Sequence, residues 1–154
     1  MSDPTTTYGF LTEAHNCFMA VIDHSYHPLC MLREPDNPRA KWVVIPKVEG
    51  KKLTYMIWNL SIGPEFMLQG SYRFEQFILE MEVADAANPA QHWLPSKPLV
   101  SSNQHFTCMQ TLAGQTVAFS LGEQPGMDPP YVPTIEIAKS GDLKQMWTVY
   151  ENPA

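Results

Sequence analysis

An all-β domain made of three similar units is what the 154 residues predict. Three features point that way: fourteen prolines scattered along the chain, short apolar runs closed off by turn residues, and a tryptophan that recurs at near-equal spacing. Proline removes a backbone donor and breaks helix interiors. Prolines this frequent leave little room for a helix of ~12 residues. Many short strands separated by turn signals are the all-β pattern.

The strand candidates follow in order. Tyr8 to Leu11, Phe18 to Ile22, Leu29 to Leu32, Trp42 to Ile45 and Leu53 to Trp58 occupy the first part of the chain. Glu65 to Leu68, Phe74 to Leu79 and His105 to Met109 follow, and Thr116 to Leu121, Thr134 to Ile137 and Met146 to Tyr150 complete the set. Leu53-Thr54-Tyr55-Met56-Ile57-Trp58 is the best of them, being mostly β-favouring residues. Lys47 to Lys52 reads as a solvated hairpin turn. Phe74 to Ala87 holds no Gly or Pro and admits a short helix as the alternative to a strand pair. Glu75, Glu80, Glu82 and Asp85 within it read as a solvated strand face rather than paired catalytic acids.

The repeat is faint but consistent. Asp36-Asn37-Pro38-Arg39-Ala40-Lys41-Trp42 matches Ala87-Asn88-Pro89-Ala90-Gln91-His92-Trp93, with Asn-Pro at the same offset before Trp. Asp142-Leu143-Lys144-Gln145-Met146-Trp147 is a third copy with Asp for Asn and no Pro. Trp42, Trp93 and Trp147 fall at nearly equal intervals, and Tyr55 follows Trp42 at the same offset as Phe106 follows Trp93. The strands opening each unit are matched as Tyr8–Leu11, Glu65–Leu68 and Val117–Leu121. Units of about fifty residues are too small to bury an apolar face alone, so the three must share one core.

Gln91-His92-Trp93 and Gln145-Met146-Trp147 resemble the Gln-any-Trp signature of ricin-B-like β-trefoils, while Ala40-Lys41-Trp42 keeps the Trp and lacks the Gln. On these residues the chain is similar to small cytosolic β-trefoil proteins of fungi. That group includes sugar-binding lectins and protease inhibitors of the mycocypin and cospin types, both taken as defence proteins. The resemblance implies a single β-trefoil domain over 1–154, with repeats at roughly 8–60, 61–111 and 112–151. It implies Trp in the shared core and Gln amides tying the adjacent loops.

The ricin-type sugar site is not carried over. The family places an aromatic ring about twelve residues before the core Trp, where this chain has Cys30, Met81 and Ile135. It places Asn just before the Gln, where Arg39, Ala90 and Lys144 stand. A differently built carbohydrate site is expected instead. Its candidates are Asp23, His24 and Tyr26 in one loop, Asn37 in the next, and Asp128 in the Pro-stiffened run Gly122 to Tyr131. These supply acceptors, donors and an aromatic face for a glycan or glycoprotein. The alternative is a protease inhibitor. The Pro-flanked segment Arg33 to Arg39 would then face a serine or cysteine protease with Arg33, Asn37 or Arg39, and its rigidity would lower the ordering cost of binding.

Other classes are set aside. The net charge of −6 lacks the basic patch that phosphate binding requires. No run approaches the ~20 apolar residues of a membrane-spanning helix, so no membrane insertion is expected. His24, His27 and Cys30 have ligand-like side chains but no fourth partner nearby, so neither metal nor cofactor is expected. There is no phosphate loop and no nucleophile elbow, so no catalytic residue is assigned and an enzyme is not expected. Cys17, Cys30 and Cys108 read as small buried hydrophobes, not a disulfide framework. Met1 to Thr7 lacks the features of a secretory leader, so the expectation is a cytoplasmic or unconventionally secreted protein. The sparsely charged surface also allows a homodimer.

Overall fold

The computed structural model describes residues 6–12, 17–22, 29–34, 36–96, 103–126 and 128–152. Among them there are strands and 3₁₀ turns but no α-helix. The strands are β1 (Thr7–Thr12), β2 (Phe18–Val21), β3 (Leu29–Leu32), β4 (Trp42–Glu49), β5 (Lys52–Asn59), β6 (Phe66–Arg73) and β7 (Gln76–Val83). They continue as β8 (Leu94–Pro95), β9 (Asn103–Phe106), β10 (Cys108–Leu112), β11 (Gln115–Glu123), β12 (Tyr131–Ile137) and β13 (Trp147–Asn152). Among the described residues the strands pair antiparallel, and β1 at the start of the chain pairs along its whole length with β13 at the end, Thr7 opposite Asn152. The segment that admits a helix in sequence is β7, in register with β6 from Phe66↔Val83 to Arg73↔Gln76. The turn at Gly50, with φ +61, closes the β4–β5 hairpin within the stretch that reads as a turn.

One local arrangement occurs three times. The 3₁₀ turns Pro38–Ala40, Pro89–Gln91 and Leu143–Gln145 each precede a core tryptophan. Each is capped alike, with Asn37 Oδ1, Asn88 Oδ1 and Asp142 Oδ1 accepting from the backbone N–H two residues on, all at 3.0 Å. Trp42, Trp93 and Trp147 then run into the core and are completely buried. Their indole Nε1–H groups donate to the carbonyls of Met19 (2.9 Å), Leu68 (3.0 Å) and Phe119 (3.2 Å). Those three residues lie opposite Met31, Met81 and Ile135 across hairpins β2–β3, β6–β7 and β11–β12. All nine side chains belong to one cluster. At roughly 25 cal/mol per Å², an indole hiding ~200 Å² contributes about 5 kcal/mol, and its bonded N–H leaves no buried donor unmet.

The indole hydrogen bond corrects the strand matching. Phe18–Val21, not Tyr8–Leu11, is the first-unit counterpart of the strands through Leu68 and Phe119. Tyr8 has another role. It stands opposite Trp42, as Tyr55 stands opposite Trp93 and Phe106 opposite Trp147. Each core Trp is thus in register with an aromatic from an earlier stretch of chain. The aromatics that follow Trp42 and Trp93 at a common offset are therefore partners of the next Trp.

The cysteines are buried and free, as expected. Burial raises the pKa of all three thiols, most strongly at Cys108. One expectation fails: Glu80 is not on a solvated face but 4% exposed. It accepts from Ser71 Oγ at 2.6 Å and from Arg73 at 2.7 Å, so its charge is paired and hydrogen-bonded as burial requires.

Candidate functional site

A cleft of about 330 Å³ opens where three segments meet: the start of β5, the loop and 3₁₀ turn before Trp93, and the β10–β11 hairpin. Its apolar lining is aliphatic and includes Pro89, Leu94 and Met109, and its polar groups include Lys52, Thr54, His92, Thr111 and Thr116. Among the described residues the His92 imidazole is the aromatic ring that lines it.

His92 is the hinge of this geometry. It leaves the 3₁₀ turn one residue before the buried Trp93, so its backbone is fixed from both sides. Its Nε2 lies 2.8 Å from the Ala86 carbonyl, which only accepts, so Nε2 carries the proton. In the neutral ring, Nδ1 then accepts from Thr54 Oγ1 at 3.0 Å. The ring therefore ties β5 to the loop before the turn. Gln91 ties the same loop from beneath: its Oε1 accepts from Asp85 N–H (2.8 Å) and its Nε2 donates to Val83 O (2.8 Å). Gln145 repeats that pair on Lys139 N–H and Ile137 O, so the Gln-any-Trp glutamines serve as loop ties in both copies that have them. Gln110 completes the cleft, donating to Ala90 O at 2.9 Å, while its own Oε1 is buried without a hydrogen-bond partner. The cleft walls are thus preformed.

The residues singled out from sequence fall elsewhere. Asp23, His24 and Tyr26 lie outside the described residues, as does His27. Asn37 caps the first 3₁₀ turn, a structural task shared with Asn88 and Asp142. Arg39 is half-buried, and its carbonyl accepts from Asn59 Nδ2 at 2.9 Å. Arg33 and Asp128, taken from opposing functional readings, meet in one exposed ion pair at 3.0 Å. Among the described residues no group of three His, Cys, Asp or Glu side chains is placed to hold a metal ion. Sequence reasoning misses His92 because Gln91-His92-Trp93 draws attention to its outer residues. Its position beside a core Trp is the available signal.

No family model matches the chain, and no curated protein matches it. Solved structures do. One, described as the structure and mode of action of a mosquitocidal holotoxin, aligns over 99% of this chain with a TM-score of 0.70 at 14% identity. This chain spans 18% of that toxin chain. A Caenorhabditis elegans protein of unknown function aligns over 94% of this chain and 92% of its own, with a TM-score of 0.62 at 13% identity. At such identities the likeness is one of fold.

Proposed function

We propose that the chain is a β-trefoil that binds glycans without catalysis, through the cleft at His92. The threefold recurrence of capped 3₁₀ turn, buried Trp and cross-strand aromatic supports the trefoil reading. The cleft is the observation that carries the glycan reading. Hydroxyls and an ammonium line the cleft together with aliphatic side chains, the two kinds of group that the hydroxyls and the C–H face of a pyranose call for. A scatter of Thr hydroxyls suits a neutral polyol better than an anion. Against catalysis, both His92 nitrogens are already engaged, and among the described residues no carboxylate or thiol lines the cleft.

A glycan array with the untagged protein tests the reading. The expected result is a family of hits competed by one simple sugar, with Thr116→Ala and Lys52→Met each weakening binding about tenfold while the fold stays intact. Hits that survive both variants would move the site away from His92. A blank array would end the glycan reading and turn attention to proteases facing Arg33.

A further inference from the structure

The β6–β7 hairpin ends in a two-residue turn, Phe74-Glu75, flanked by the pair Arg73↔Gln76. Both turn residues have positive φ, 53° and 61°. Turns of this shape select Asn, Asp or Gly, because other side chains crowd the backbone there. The β10–β11 turn, Ala113-Gly114, has the same pair of positive φ values and places a glycine in it. Phe74 is the less favourable choice by local energetics, and it is also 93% exposed. An unfavourable backbone holding an apolar ring in water points to a use for the ring.

The hairpin that carries the ring is braced. Gln91 and Asn88 donate to Gln69, Gln69 to Ser71, and Ser71 to the buried Glu80, which holds Arg73 beside the tip. Tyr72 and Phe77 pack together just below, with centroids 4.9 Å apart. A groove of about 440 Å³, large enough for a phenyl ring, is lined mostly by apolar residues, among them Phe77, Leu79, Leu29 and Val132, with Glu80, Gln124 and Thr134 as its polar groups. The hairpin that ends in the exposed Phe74 ring therefore also forms one wall of an apolar groove, whose other walls come from the ends of β2 and β3 and from β12.

We infer that this hairpin end is a self-association surface, in which Phe74 of one copy enters the groove beside Phe77 of a second copy and receives that copy's Phe74 in return. A two-fold contact needs this kind of self-complementarity. A sugar fits less well, because a single convex ring offers it no enclosing donors. Two spikes, two grooves and the Tyr72–Phe77 faces would bury on the order of 1,000 Å² in total, the range of weak, reversible contacts. The inference stands apart from the glycan reading.

Sedimentation equilibrium from micromolar to millimolar protein tests it. The expected result is a mass rising from one chain to two. Phe74→Ser should weaken the dimer at least about tenfold, as loss of an aromatic anchor does, and Phe74→Leu should largely retain it. Replacing Phe74-Glu75 with Asn-Gly should give a chain that melts higher yet stays monomeric, which separates recognition from folding. A wild-type chain that is monomeric throughout, or a dimer indifferent to Phe74→Ser, would overturn the inference. So would a monomer that instead carries Phe74 into liposomes or onto a glycan.

Discussion

The first and second copies of the tryptophan arrangement hold the indole identically and hold the preceding loop differently. Trp42 and Trp93 are both fully buried, both opposite an aromatic, and both bonded through Nε1 to a core carbonyl. In the second copy Gln91 pins the loop at Val83 and Asp85, and His92 pins it again at Ala86. In the first, the glutamine is replaced by Ala40, buried against Phe18, Ala20 and Cys30. There the loop after β3 has an exposed Arg33–Asp128 pair in place of the buried amide. The core and the loop are thus secured by separate devices, and a repeat can lose one without the other. The second copy, which keeps both devices, also frames the cleft.

The largest effects should fall on the shared device. Trp42→Ala and Trp93→Ala should each cost about 3–5 kcal/mol, from lost burial, a cavity and an orphaned carbonyl. Urea denaturation of the two variants measures this. Similar losses would show that the missing glutamine leaves the first core site intact. A much milder loss at Trp42 would break the comparison.

This part of the molecule is legible in sequence because it rests on rare residues at fixed offsets. Trp, the Asn-Pro before it and the aromatic after it are each uncommon enough to register in a single chain. The role of Tyr8 is hidden because its partnership with Trp42 belongs to a pattern that wraps from one end of the chain to the other, and linear matching pairs Tyr8–Leu11 with the wrong strands. The cleft is illegible because its lining comes from Lys52, Ala86, His92, Met109 and Thr116, ordinary residue types scattered along much of the chain. Glu80 reads as solvated because nothing local announces that Ser71 and Arg73 fold back over it.

Gln91→Ala sharpens the comparison by making the second copy resemble the first. It should cost about 1–3 kcal/mol, since a buried amide that joins Val83, Asp85 and Gln69 is lost at once. Hydrogen exchange should show the Asp85 amide losing protection while the Trp93 indole keeps its own. The reverse change, Ala40→Gln, should destabilise as well, because the space around Ala40 is already filled by Phe18, Ala20 and Cys30.

Gly70→Ala probes a feature confined to the second copy. The corresponding strand position, two beyond the carbonyl that receives the indole, is Val21 in the first copy and Leu121 in the third. At Gly70 a Cβ would overlap Gln110 Oε1 and press on Ile135 Cδ1. Gln110 has little freedom to retreat, being held by Ala90 O. A loss of about 1–2 kcal/mol is expected, and Gln110→Ala in the same chain should recover part of it. A double-mutant cycle by thermal denaturation would measure that coupling, and strict additivity would show that the two side chains do not meet.

The smallest effect should be at the first loop's own tether. The Arg33 and Asp128 side chains are 56% and 87% exposed, so solvent screens their attraction and holding both in place costs side-chain entropy. Arg33→Ala should leave the urea midpoint within error of the wild type, and added salt should do no more. The local consequence should be larger than the global one: faster hydrogen exchange and earlier protease nicking around Arg33 and Glu34, with no change around Asp85. If Arg33→Ala instead destabilised the whole chain as much as Gln91→Ala, the exposed pair would be equivalent to the buried amide. The contrast between a tightly tied second loop and a lightly held first one would then be wrong.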